Sequence, residues 1–302
     1  MKVNYRIRTD LALEATERFQ QDHVEIRGVA INESYDEKKD ICTTVVKIET
    51  ENGARAMGRP QGTYITLEAP NMSVPDEDYH REISGEIAKH IRALIDLKEE
   101  KSILVVGLGN RDITPDALGP RVISHLHITR HVIREYGISG MGRERAHRVS
   151  GLIPGVMAQT GMETLEILQG VVDETQPDVV IAIDALAARS TRRLNRTIQI
   201  TDTGINPGSG VGNHREALNE ETLQVKVIGI GVPTVVDAAT IVHDAMAHLL
   251  DTLDEAEQKE FLDEMISPHL HSMFVTPKDI DETVKRLGLT ISEGLNMAFA
   301  DV

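Results

Sequence analysis

The chain has 302 residues, enough for one large domain or two small ones, and its 40% hydrophobic content can fill a sizeable core. A formal net charge of −16, with 3% aromatic residues and no Trp, argues against direct nucleic-acid binding, because phosphates are repelled and stacking side chains are scarce. The single cysteine, Cys42, excludes an internal disulfide.

Membrane insertion and secretion are also disfavoured by the sequence. No stretch approaches the roughly eighteen consecutive apolar residues of a spanning helix, and the N-terminus has no apolar core suited to a signal peptide. We therefore expect a soluble, cytoplasmic protein that does not contact a membrane.

The first third of the chain is rich in β-branched residues. Three such stretches cover about 23–31, 41–49 and 63–68, and an Asn52-Gly53 turn lies among them. This pattern predicts a small antiparallel β unit at about 20–70.

From Ser102 onward, continuous apolar runs at 103–106, 179–183 and 225–230 alternate with helical segments. Runs of this kind are typical of strands covered on both faces by helices. Helices are predicted at about 76–97, 116–127, 160–173, 234–250, 254–266, 277–287 and 291–299. The predicted fold is α/β, a mostly parallel sheet flanked by helices, with the antiparallel unit near the N-terminus.

The first apolar run leads into a glycine turn, Gly107-Leu-Gly-Asn110, that begins like a dinucleotide-binding loop. The fingerprint fails because Asp112 stands where the third glycine is needed, and Asp112 and Asp116 would repel a phosphate. Nucleotide binding is therefore disfavoured.

Two acids follow apolar runs, Asp116 after the first and Asp184 after the second. Ligands of an open parallel sheet bind beyond the carboxyl ends of its strands, so the two acids are expected to face each other there. Close carboxylates titrate as a pair, one protonated and one ionised, which suits the activation of water and the protonation of a leaving amine.

Other interpretations of these acids remain open. Asp116 also suits a helix N-cap, and Asp184 suits a salt bridge to Arg189 or Arg193. A third alternative is a divalent metal held by Asp116, Asp184 and His214 from the glycine-rich loop.

Further residues are candidates for substrate contacts. Glycine permits close backbone approach, so amides of the turn and of the glycine-rich loop could stabilise an oxyanion. Arginines after the second run could bind acidic substrate side chains or form a solvated face. These candidates are Gly109, Asn110, Gly208, Gly210, Gly212 and Arg189.

Taken together, the motifs resemble the germination protease family of spore-forming bacteria over nearly the whole chain. The matching segments are Val105-Val-Gly-Leu-Gly-Asn110, Thr114-Pro-Asp-Ala-Leu-Gly-Pro120, Leu152-Ile-Pro-Gly-Val-Met157, Ile181-Ala-Ile-Asp-Ala-Leu-Ala-Ala-Arg-Ser190, Asp202-Thr-Gly-Ile-Asn-Pro-Gly-Ser-Gly-Val-Gly-Asn213, Val232-Pro-Thr-Val-Val-Asp-Ala238 and Met273-Phe-Val-Thr-Pro-Lys278. The combination is specific, although each short motif alone is weak.

The resemblance implies an atypical aspartic endopeptidase that degrades small acid-soluble spore proteins at germination. It implies a fold akin to hydrogenase maturation proteases, a homotetramer in the forespore and spore core, and no cofactor. Asp116 and Asp184 match the family's catalytic aspartates. Because equivalent acids bind metal in hydrogenase maturation proteases, a metal-dependent peptidase that uses the same two aspartates is the alternative.

The resemblance also implies synthesis as a zymogen. Arg8-Thr-Asp-Leu-Ala-Leu-Glu-Ala15 looks like the family's self-processing site, where an acid precedes the cut and an aliphatic residue follows it. Cleavage between Asp10 and Leu11 would release a pro-segment, residues 1–10, from a single peptidase domain, residues 11–302. The chain is shorter than many family members after Leu250.

Overall fold

The computed structural model describes residues 11–14, 26–208, 215–250, 270 and 273–300. Its strands are β1 (Val29–Asp36), β2 (Ile41–Ile48), β3 (Gly62–Glu68), β4 (Ser102–Gly107), β5 (Arg148–Leu152), β6 (Val179–Ala188), β7 (Thr197–Thr201), β8 (Lys226–Asp237) and β9 (Phe274–Val275). Its α-helices are α1 (Glu51–Met57), α2 (Glu77–Leu94), α3 (Leu118–His125), α4 (Arg130–Tyr136), α5 (Met157–Thr160), α6 (Thr164–Thr175), α7 (Glu220–Leu223), α8 (Ala238–Leu250) and α9 (Ile280–Ala300).

Within the described part of the chain, the nine strands form one sheet in the order β1-β2-β3-β7-β8-β6-β4-β5, with β9 beside β8. Strands β8, β6, β4 and β5 run parallel, and β1, β2, β3 and β7 pair antiparallel. The antiparallel strand β7 joins the two parts because it pairs with β3 on one side and β8 on the other. The predicted α/β class and the N-terminal antiparallel unit are confirmed.

The sheet is covered on both faces where its strands are parallel. Along β6, Val179, Ile181 and Ile183 pack into a large core with helices α2, α3 and α9, whereas Val180 and Ala182 pack into a second core with α6 and α7. This alternation follows from the two-residue period of a strand. Two covered faces explain why the run from 179 to 183 is continuously apolar.

Helix α2 shows how local sequence fixes an element. Asp76 caps its N-terminus, where the carboxylate accepts the N–H of Tyr79 at 3.1 Å. Ile83, Ile87 and Ile91 recur every four residues and are buried in the large core. The predicted helix at about 76–97 is therefore present, with slightly shorter bounds.

Several predicted boundaries were wrong. The second and third apolar runs were expected to end near 183 and 230, but β6 continues to Ala188 and β8 to Asp237 because the two strands pair along this length. Single helix α9 replaces the two helices predicted at 277–287 and 291–299. The predicted helix at 254–266 lies outside the described residues.

Candidate active site

Asp116 ends a short 3-10 turn, Thr114–Asp116, between β4 and α3. Its carboxylate Oδ2 accepts the backbone N–H of Asn110 at 2.7 Å, and its own N–H donates to the Ile113 carbonyl at 2.8 Å. Helix α3 begins after Ala117 without a side-chain cap, so Asp116 is not the N-cap that its position suggested. The turn instead holds the carboxylate above the end of β4.

The glycines of this turn allow close packing between β4 and α3. A Cβ on Gly107 would lie 2.3 Å from the Gly119 carbonyl oxygen, so β4 and α3 approach closely here. Gly109 has φ +101°, and a Cβ there would lie 2.0 Å from the Asp116 carbonyl oxygen. Gly109 is therefore required for the Asp116 turn to fold back over the strand.

Asp184 lies inside β6, not after it. It is 5% exposed, and its Oδ1 accepts the N–H of Ala185 at 2.9 Å. It follows Val180 and Ala182 in the strand alternation, which places it on the α6 face of the sheet. Asp184 is therefore buried because it lies within a strand whose two faces are covered.

A β-bulge next to Asp184 connects the sheet to the Asp116 turn. Leu186 pairs with Pro233 and Ala187 with Val235, so Thr234 has no partner in β6. Pro233 has no N–H to give to the ladder, and such residues favour bulges. The Thr234 hydroxyl donates to the Pro115 carbonyl at 2.7 Å, directly before Asp116. Thr234 was not predicted as a site residue. The available indication was Pro233, because a proline inside a β-branched run favours a bulge.

Asp116 and Asp184 line one cavity of about 540 Å³. Its wall is mainly apolar, and burial raises the pKa of Asp116 above the ordinary aspartate range, while the Asn110 N–H opposes that rise. The cavity wall also includes Leu108, Ile113, Val156, Met157, Glu163, Ala185, Arg215, Val235, Phe274 and Thr276. The cavity can therefore hold a peptide segment against both carboxyl groups.

The other predicted contacts divide into three groups. Gly109, Asn110 and Gly208 line the cavity. Arg189 is not among the described residues that line it. Gly210, Gly212 and His214 lie outside the described residues, as does Asp10 of the predicted processing site. Glu163 and Arg215 were not predicted, because they lie far from any strand end in the sequence.

The segment Leu11–Glu14 is built into the fold. All four residues are buried, and the Ala12 N–H donates to the Gln199 side chain at 2.6 Å. Gln199 pairs with Gly231, and Gly231 with Asp184, so the segment is attached two strands from Asp184, roughly 10 Å across the sheet.

Glu14 attaches the same segment to the chain that follows β6. Its carboxylate accepts the N–H groups of Arg189, at 3.0 Å to Oε2, and Ser190, at 3.2 Å to Oε1. The Arg193 guanidinium lies 3.4 Å from Glu14 and 3.2 Å from Glu68. The carboxylate thus links the N-terminal segment to the strand that carries Asp184.

Among the described residues, no group of three or more His, Cys, Asp or Glu side chains is arranged to hold a metal ion. His214 of the metal alternative lies outside those residues, so this alternative stays a prediction. None of the described helices combines the length and apolar character needed to span a membrane.

Comparisons with known proteins agree with the sequence resemblance. A family model described as germination protease matches residues 7–253. The germination protease of Caldanaerobacter subterraneus subsp. tengcongensis is 48% identical, with 97% of this chain and 94% of that protein covered. The Clostridium perfringens (strain ATCC 13124) protein of the same name is 41% identical, with 97% and 95% covered.

A solved structure of the NiFe hydrogenase maturation protease HycI from Thermococcus kodakarensis KOD1 also aligns with this chain. The alignment covers 66% of this chain and 96% of that one, at 18% identity and a TM-score of 0.32.

Proposed function

Since the chain belongs to the germination protease family, and is therefore a peptidase of spore germination, we propose that Asp116 and Asp184 form its catalytic pair. The observation that carries the proposal is that both carboxyl groups line one cavity. The proposed substrates are the small acid-soluble spore proteins, encountered in the forespore and spore core. The proposed assembly is a homotetramer.

We assign the shared proton to Asp116, because burial raises its pKa against the opposing effect of the Asn110 N–H. In the proposed reaction, ionised Asp184 takes a proton from water as the water oxygen attacks the scissile carbonyl carbon, and Asp116 gives its proton to the carbonyl oxygen. The proton on Asp184 then passes to the amide nitrogen as the C–N bond breaks. Asp116 regains its proton from the intermediate, which restores the starting state.

Backbone amides are proposed to assist at the scissile carbonyl oxygen, where negative charge builds before Asp116 has passed on its proton. Gly109 and Gly208 both line the cavity, and Gly109 adjoins the carboxylate of Asp116 through the tight turn. Amide donors in a mainly apolar cavity stabilise negative charge more strongly than they do in water. Gly210 and Gly212 stay candidates for the same role.

We further propose that the enzyme is made as a zymogen that is cut between Asp10 and Leu11. The buried packing of Leu11–Glu14 supports this position for the boundary, because a cut before Leu11 would leave the hydrogen bonds of Ala12 and Glu14 in place. The released segment would be residues 1–10.

The test is cleavage of a small acid-soluble spore protein by the purified full chain and by a chain that begins at Leu11, the proposed processed form, each with and without a strong chelator. Mass spectrometry of the products and of the enzyme N-terminus follows every reaction. Cleavage that survives the chelator supports the aspartate pair. Loss of cleavage with recovery on metal addition supports the metal-dependent alternative, and absence of cleavage under both conditions contradicts the proposed substrate.

A further inference from the structure

Arg215 is the one Lys or Arg among the described residues that line the cavity. The wall otherwise carries three acids, Asp116, Asp184 and Glu163, with polar and apolar residues around them. An acidic substrate side chain entering this cavity would be repelled by the acids, and the repulsion is strong where water is excluded. Arg215 is the group in the described wall that can offset it.

The Arg215 guanidinium has unused donors. Its Nη1 lies 3.2 Å from the Glu163 carboxylate and 3.1 Å from the Met157 sulfur, and a thioether is a weak acceptor. Within the described chain, Nε and Nη2 have no hydrogen-bond partner. A guanidinium carries five N–H donors and binds a carboxylate best through two parallel hydrogen bonds, so this one retains capacity for a second carboxylate.

Glu163 holds the arginine at the cavity wall. It is the N-cap residue of α6, and its own N–H donates to Glu166 at 2.8 Å, so its backbone is fixed by the helix start. The Arg215 side chain is 34% exposed, which leaves it reachable from the cavity. A fixed acid beneath a partly exposed guanidinium orients the cation without enclosing it.

We propose that Arg215, oriented by Glu163, binds an acidic side chain of the peptide substrate and so determines which peptide bonds are presented to Asp116 and Asp184. The proposal rests on the proposed peptidase function and assigns a specificity residue within the same cavity. The sequence predicted Arg189 as the residue that binds acidic substrate side chains, and the proposal assigns this role to Arg215. The backbone N–H of Arg189 binds Glu14.

The experiment compares two synthetic peptides of residues 4–17, one with the natural Asp10 and one with Asp10→Asn. The enzymes are the full chain, Arg215→Gln and a control, Arg55→Gln, each used after residues 1–10 have been removed. Arg55 also pairs with a glutamate, Glu51, but lies in α1, and its side chain is 77% exposed. Values of kcat/KM are measured for each enzyme and peptide by mass spectrometry of the products.

The full chain and Arg55→Gln should cleave the Asp10 peptide about 10- to 100-fold faster than the Asn peptide, as expected when a partly desolvated charge pair is lost. Arg215→Gln should lower this preference to about threefold or less through slower cleavage of the Asp10 peptide alone. Its retained cleavage of the Asn peptide shows that the variant is folded.

Three outcomes overturn the proposal. An unchanged preference in Arg215→Gln, or the absence of any preference in the full chain, removes Arg215 as the specificity residue while leaving the peptidase function intact. If the full chain cleaves neither peptide, the proposed function fails, and the Arg215 site fails with it.

Discussion

Glu14 and Asp116 lie in different regions of this molecule, and their carboxylates have different surroundings. Glu14, 1% exposed, accepts N–H groups from Arg189 and Ser190 and pairs with Arg193. Asp116 accepts one backbone N–H, from Asn110, and burial raises its pKa. A buried carboxylate with several donors is anchored, whereas one with a single donor is left able to exchange a proton.

The two regions are linked through β6. Asp184 lies in the middle of that strand, and Glu14 binds the chain just beyond its end, at Arg189 and Ser190. We infer that Glu14, whose carboxylate has several hydrogen-bond donors, stabilises the fold, and that Asp116, whose carboxylate has one, takes part in the reaction. Substitutions at the two regions should therefore separate activity from stability.

The largest expected effect is loss of activity in Asp116→Asn and Asp184→Asn. Each should reduce kcat/KM by about 10³-fold or more, equivalent to about 4 kcal/mol in the transition state, since neither amide can exchange the proton. The fold should persist because an amide oxygen can still accept the N–H of Asn110 or Ala185. Peptide cleavage and thermal melting measure the two quantities.

Asp112→Asn is the matched control for these variants. Asp112 lies in the same turn, is exposed and is not among the described residues that line the cavity. It should retain nearly full activity. An Asp116→Asn enzyme as active as Asp112→Asn would remove Asp116 from the reaction.

The next effect is on stability. Glu14→Ala should lower the free energy of unfolding by roughly 3 kcal/mol, at the low end for a broken buried ion pair because Arg193 keeps its contact with Glu68. Glu282→Ala removes an exposed partner of Lys285 and should leave stability nearly unchanged. Urea denaturation measures both, and equal effects would contradict the anchoring role of Glu14.

The smallest effect is a pH dependence of stability at Asp116. Because its folded pKa is raised, the folded state binds this proton more readily than the unfolded chain does. Stability contributed by Asp116 should therefore increase as pH falls through the raised folded pKa towards the ordinary aspartate value, and should be absent at neutral pH. Urea denaturation of the full chain and Asp116→Asn, from about pH 7 down to about pH 4, measures the difference. The stability of the full chain should rise relative to that of Asp116→Asn as pH falls. A relative stability that falls or stays constant would contradict a raised pKa.

The pattern of apolar residues predicted much of the fold. Ile83, Ile87 and Ile91 repeat at helical spacing, and the run from 179 to 183 is apolar at every position. The residues of each segment therefore indicate its secondary structure by themselves. Strand ends were less predictable, since β6 and β8 continue past their apolar runs by pairing with each other. That pairing joins residues distant in sequence, which a local pattern does not record.

The candidate site divides in the same way. Asp116 and Asp184 could be selected because each follows an apolar run, and their catalytic role stays a prediction. Arg215 and Glu163 could not be selected, because they enter the cavity from the chain after the glycine-rich loop and from the start of α6. Thr234 needed a strand register, since a bulge exists only relative to a partner strand.

By itself the sequence determined the α/β class, the two acids at the sheet and membership of a peptidase family, because periodicity and short motifs are properties of neighbouring residues. Tertiary structure alone decided that both acids line one cavity and that Glu14 binds the chain just after β6. It also placed Arg215 in the cavity wall, as the one Lys or Arg among the described lining residues. Burial, which sets the pKa of Asp116, and the supply of donors, which distinguishes the two regions, arise only when distant segments pack together.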